Sequence, residues 1–191
     1  VGALVGLVCV GRTANPIIAG VSGVIYALLL SSLLEWGVHR YIYHGRTSVL
    51  GPLRRAHLLH HAAFTVKSYT VCPHEIAYQH HRERGLNLDA KIIRVGQVLV
   101  HWVVIALALT LPSWCLTRSF AFSCSATIIG GLFSLLNFYL HETMHRRTDR
   151  WITRTTFFRW IDTHHRGHHH NQRKNLNLVL PIIDSLFASK A

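Results

Sequence analysis

The side chains best suited to chemistry in this sequence are its 16 histidines. They gather in four clusters: His39/His44, His57/His60/His61, His141/His145, and the run His164-His165-Arg166-Gly167-His168-His169-His170, where five of seven residues are imidazoles. A buried imidazole needs a hydrogen-bond partner or a metal, so this concentration exceeds what a packed core uses. Spacing sharpens the point. His57, His60 and His61 stand at i, i+3 and i+4, as do His165, His168 and His169, while His141 and His145 stand at i, i+4. On a helix each set projects from one face. Three such faces brought together surround a metal with nitrogen ligands. The ten imidazoles of His39, His44, His57, His60, His61, His141, His145, His165, His168 and His169 exceed the roughly four to six positions of one ion, which implies two metals. Spacing does not choose among zinc, copper, iron and nickel.

Three details stay open. His39 and His44 lie five residues apart, which rotates them about 140° on an α-helix. They either ligate different metals or sit where the helix unwinds at a membrane surface. In the last run His165-x-x-His168-His169 fits best, with His164 as the alternative ligand. Glu142, Asp162 and Asp184 are candidates to accept the second N–H of ligand imidazoles, with helix capping or a surface ion pair as the alternative for each. His74, His80 and His81 read as surface or outer residues.

The elements that must position these side chains are apolar. Half of the 191 residues are hydrophobic and 15% are charged, against about 25% in an average soluble domain. The pattern predicts an all-α, multi-pass transmembrane bundle with a cytoplasmic His-rich metal-binding cap, as one domain over 1–191. Spans fall at about 16–38, 92–111 and 119–140. The second is closed by Pro112, and a short link to the third makes a hairpin. Residues 1–11 are too short for a full crossing and read as a partial span, without the basic leader of an export signal. Apart from Arg12 and Arg118, the 20 Lys and Arg residues fall in or beside residues 39–91 and 141–191. Translocated loops avoid such residues, which assigns both stretches to the cytoplasmic side.

Fifteen of the 16 histidines lie on that side, and His101 alone falls within a span. A hydrogen bond to a neighbouring helix accounts for His101 as well as a function does. The net charge of +12 accompanies no nucleic-acid-binding motif, so anionic headgroups are the expected partner rather than nucleic acid. Tyr41, Tyr43, Trp114, Trp151 and Trp160 fall near the predicted interfaces, and Arg150–Asp162 reads as an interfacial helix. Cys9, Cys72, Cys115 and Cys124 have no metal-site spacing and read as packing residues, with a Cys115–Cys124 bridge as the lesser alternative.

The motifs His39-Arg-Tyr-Ile-Tyr-His44, His57-Leu-Leu-His60-His61, His141-Glu-Thr-Met-His145 and His165-Arg-Gly-His168-His169 resemble those of the integral-membrane fatty acid hydroxylase superfamily. That superfamily includes fatty acid and sphingolipid hydroxylases, sterol desaturases and carotenoid β-ring hydroxylases. Asp184-Ser-Leu-Phe187 resembles the Asp-x-x-Phe that often follows the last box. Asn175-Leu-Asn177 departs from the Asn-x-Gly common in sterol and fatty-acyl members. The resemblance implies two iron ions held by the ten histidines, O2 as co-substrate, and a lipid hydroxylated or desaturated at an unactivated C–H bond. It also implies electrons from a separate donor of cytochrome b5 or ferredoxin type. A membrane metal transporter or storage protein is the competing expectation.

Overall fold

The computed structural model describes residues 2–13, 15–45, 50–65, 69, 109–145 and 151–190. Every regular element among them is helical: α1 (Gly2–Gly11), α2 (Pro16–Gly37), a π-helical turn (Val38–Tyr43), α3 (Gly51–Ala63), α4 (Leu111–Thr117), α5 (Phe120–His145), a 3-10 turn (Trp151–Arg154), α6 (Thr156–His170) and α7 (Ile182–Leu186). Two helices are long and apolar enough to cross a membrane, Pro16–Tyr43 and Phe120–His145. Most of the predicted 92–111 span, with His101, and His74, His80, His81 and Cys72 lie outside the described residues.

The chain divides into two compact units, residues 1–33 with 94–136 and residues 34–93 with 137–191, so the boundaries fall within α2 and α5. In the first unit, Asn15 caps α2 by accepting from the Ile17 and Ile18 amides at 3.0 and 3.3 Å, and Pro16 follows, where its missing N–H costs nothing. Ala19, Tyr26, Ala27, Leu109, Phe122 and Ala126 form the core, with the Tyr26 and Phe122 rings 5.2 Å apart. Gly23 allows that approach, because a Cβ there would collide with the Phe122 carbonyl. Elsewhere the unit is apolar to its surface, with Ile17, Phe120, Ile128 and Leu132 more than half exposed.

Pro112 sits in the first turn of α4, where its fixed φ suits a helix, and the chain leaves helix only at Arg118. That residue is left-handed (φ 54°) and donates its N–H to the Trp114 carbonyl at 2.9 Å. The link to α5 is therefore Arg118 and Ser119 alone. Cys9, Cys115 and Cys124 are free thiols, so no Cys115–Cys124 bridge forms.

The second unit carries the histidines. Its core includes Trp36, Leu59, Phe64, Tyr69, Leu140, Met144, Phe158, Ile161 and Leu176. Thr155 starts α6 by accepting from the Phe158 amide at 3.1 Å. Thr155→Ala is expected to lower stability by about 1 kcal/mol, the usual cost of a lost N-cap, read as a shift in the denaturation midpoint. Four of the six buried residues of α6 are imidazoles, His164, His165, His168 and His169.

Candidate metal centre

The His39–His44 problem is solved by the backbone. From Val38 to Tyr43 the helix widens to a π-turn, and the His44 N–H donates to the His39 carbonyl five residues back at 3.1 Å. One extra residue per turn converts a five-residue step into a full revolution. The two rings stack, 5.5 Å between centroids and 10° between planes. They serve one site, not two.

Two groups of side chains could each hold an ion: His39, His44, His57, His61 and His168, and His60, His145, His165 and His169. Within each group the candidate ligand atoms lie within 4.8 Å of one another. In the first, Nε2 of His57 is 3.1, 3.1 and 3.0 Å from Nε2 of His39, His44 and His61. His168 Nε2 is 3.1 Å from His61 and 3.3 Å from His44. In the second, His165 Nε2 is 3.2 Å from both His145 and His169. The i, i+4 pairs His57/His61 and His165/His169 each stay together, while their i+3 neighbours His60 and His168 join the opposite group. His141 lies against the second group, its ring centroid 4.7 Å from His60, 4.9 Å from His165 and 5.0 Å from His145.

Tautomers follow from the outer partners. His145 Nδ1 faces the Tyr69 carbonyl at 3.1 Å, His168 Nδ1 the Lys174 carbonyl at 2.9 Å, and His169 Nδ1 the Phe64 carbonyl at 2.6 Å. A carbonyl only accepts, so each Nδ1 carries the proton and each Nε2 presents a lone pair. Both His145 and His169 present that lone pair to His165 Nε2, which has at most one proton to give. The fit to a cation is direct, since neighbouring ligand nitrogens at ~2.0–2.1 Å from one ion lie about 3 Å apart. Among the described residues His60 Nε2 is buried with no hydrogen-bond partner, a cost that a metal bond removes.

Burial lowers these imidazoles below their ordinary value of 6.5. His44 falls to about 4, with the Arg54 charge adding to desolvation, and desolvation takes His168 and His169 to about 3. His57, His60, His61 and His165 are lowered for the same first reason. Neutral rings are what a metal requires. The same shifts predict a pH dependence. The unfolded chain takes up protons as pH falls below about 6.5, whereas the folded chain takes none at these sites until about pH 4 to 3. Stability of chelator-treated protein is thus expected to be flat above about pH 7 and to fall steadily between about pH 6.5 and 4. Denaturation midpoints at pH 8, 6 and 5 check this, and an unchanged midpoint down to pH 5 would refute it.

Two of the three acids named as imidazole orienters take other partners. Asp162 accepts from Tyr69 Oη at 3.1 Å and Arg166 Nε at 2.9 Å. Asp184 accepts from His164 Nε2 at 3.1 Å, Ser189 Oγ at 2.7 Å and the Leu176 and Asn177 amides at 2.9 and 2.7 Å. Burial works to raise the Asp184 carboxyl, but these bonds outweigh it and hold it below the usual carboxylate range. His164 is thereby committed to Asp184 and stands apart from both histidine groups. For His145, His168 and His169 the orienting role falls to the backbone carbonyls of Tyr69, Lys174 and Phe64.

Glu35 is a polar residue of the site that the sequence reading did not name. Its carboxylate accepts from Asn137 Nδ2, from Asn177 Nδ2 at 3.1 Å and from the Leu178 amide at 2.9 Å. Glu35, in the last turn of α2, lies four residues before His39 of the π-turn, and Asn137 precedes His141 by one turn of α5. The available signal was an acid at the end of a run uncharged from residue 17. Comparison of the chain with protein-family models, with curated proteins and with solved structures returns no match.

Proposed function

We propose that this chain is a membrane-embedded oxygenase that holds two iron ions in its histidine groups and hydroxylates or desaturates an unactivated C–H bond of a lipid. The observation that carries the reading is the convergence of nine imidazoles into two groups whose ligand atoms lie within 4.8 Å of one another. Iron bound there supplies O2 activation, chemistry that no side chain performs alone. The chain's own part is to bind, orient and keep dry. His39, His44, His57, His61 and His168 hold one ion, and His60, His145, His165 and His169 the other, with His141 beside the second. The Phe64, Tyr69 and Lys174 carbonyls fix three rings and keep their protons on Nδ1. Phe64 and Tyr69, both buried, wall the second group from water, their rings 4.4 and 4.7 Å from His145.

The membrane setting is supported by two apolar helices of 28 and 26 residues and by the exposed Ile17, Phe120, Ile128 and Leu132, which water does not favour. In this reading the histidine groups lie on the Lys- and Arg-rich cytoplasmic side, the lipid enters from the bilayer, and electrons come from a separate cytochrome b5- or ferredoxin-type donor. A metal transporter wants ionisable groups along its path. Among the described residues the first unit has no carboxylate or imidazole, which favours the oxygenase.

The test is metal content with an absorption spectrum, on protein purified without chelators from iron-fed cells. About two non-haem irons per chain, with oxidation of added lipid once a reductant is supplied, is the expected result. Haem, or no metal in folded protein, would overturn the proposal.

A further inference from the structure

The loop that follows α6 is closed at its base and apolar at its tip. The Asn175 N–H donates to the Ser189 carbonyl at 2.7 Å, and Lys174 Nζ donates to the Ala188 and Lys190 carbonyls at 3.0 and 3.3 Å. From Asn175 to Ser189 the one charged side chain is Asp184, and it is fully buried. α7 turns Ile183 and Asp184 inward and leaves Ile182, Leu186 and the following Phe187 outside. Leu186 is 71% exposed and Phe187 55%. A contact with α2 fixes where this tip lies. The Phe187 ring stacks on Trp36, 4.6 Å between centroids and 22° between planes, and Trp36 Nε1 donates to Ser189 Oγ at 2.9 Å.

Trp36 supplies the depth. At about 1.5 Å per residue the helix from Pro16 to Trp36 rises about 30 Å, the thickness of a hydrocarbon core. Trp36 therefore stands at the edge of that core, and Arg40, whose guanidinium lies 5.1 Å from its ring, stands at headgroup level. We infer that Leu186 and Phe187 insert among the acyl chains at this edge, which makes the loop of residues 175–189 a second attachment of the histidine-bearing unit to the bilayer, beside α2. Position selects this occupant. A ring held flat against Trp36 sits where lipid begins, and an uncharged tip gains by leaving water there. The same loop brings Asp184 to His164, and the Lys174 carbonyl at its base faces His168, so its seat sets the depth of the last histidine run. The inference rests on the membrane reading above.

The experiment uses the full chain in phosphatidylcholine vesicles and adds one indole at a time, by Leu186→Trp, Gln172→Trp or Ile128→Trp. All three positions are exposed, Gln172 beyond the end of α6 and Ile128 on the apolar helix Phe120–His145. Subtracting the parent's emission isolates the added indole, which is then challenged with acyl-brominated phosphatidylcholine or with aqueous iodide. At position 186 brominated lipid is expected to quench several-fold more than at 172 and about as much as at 128, with shielding from iodide. Emission at 186 that is open to iodide and unquenched by brominated lipid overturns the inference. Shielding of 186 from both quenchers overturns it as well, because a second copy or another protein then covers the tip. Position 128 separates the two failures: lipid contact at 128 with 186 in water sinks this inference alone, and both positions in water sink the membrane reading with it.

Discussion

Replacement of His60 by alanine is expected to empty the second histidine group while leaving the first loaded. His60 Nε2 is buried and has no hydrogen-bond partner among the described residues, and its ring stands 4.6 Å from His145 and 5.2 Å from His169. Loss of an outer hydrogen-bond partner already costs ~10–100-fold in metal affinity, and loss of a ligand from a set of four exceeds that. Bound metal per chain should fall by about half, and His168→Ala should produce the complementary loss from the first group. Stability separates a ligand from a packing residue. A ligand contributes only when metal is bound, because a metal that binds the folded state alone stabilises it by mass action. The drop in melting temperature caused by His60→Ala should therefore shrink when both proteins are stripped by chelator. An equal drop with and without metal would mean that His60 merely fills space.

Glu35→Ala is expected to be the most damaging substitution outside the histidines. It removes at once the acceptor of three donors, Asn137 Nδ2, Asn177 Nδ2 and the Leu178 amide. Each stranded buried donor costs ~1–3 kcal/mol, and discounting for a part-buried position leaves about 3 kcal/mol in all. Asn177 also donates its amide to Asp184 and accepts from the Asp184 amide through Oδ1, so the loosened loop reaches His164. Glu35→Gln should not be silent, because one of its two acceptors becomes an NH2 aimed at another donor. Denaturation of both variants in detergent, with metal content measured alongside, checks this. A Gln variant as stable as the parent would show that the carboxylate is dispensable.

How much was legible in the sequence depends on the kind of interaction. The long apolar helices were, because hydropathy over about 20 residues leaves few alternatives. The i, i+4 pairs were too, since helical geometry fixes which side chains meet. The sorting of His60 away from His57 and His61 was not, because ligands three and four residues apart diverge only once the facing helices are in place. The π-turn was legible only as one of two alternatives, a helix that unwinds between His39 and His44, and its form was not legible at all. It is a backbone choice with no residue code in Val38–Tyr43, and it turns a spacing that looked wrong into one that works. Asp184 was legible as a functional acid but not in its role, which depends on the loop at Leu176 and Asn177 folding back over it.

The carbonyls of Phe64, Tyr69 and Lys174 carry a consequence for genetics. Because the acceptors are main-chain atoms, no substitution at these three positions deletes them, and an alanine scan would pass over the groups that aim three of the histidines. Changes there would leave the acceptors in place, although at Phe64 and Tyr69 they would also remove rings packed against His145; an inserted residue or a proline nearby would displace the carbonyls themselves. The aim of these rings is thus buffered against point mutation and exposed to changes in chain length, so drift beside Lys174 should be tolerant in residue identity and strict in spacing.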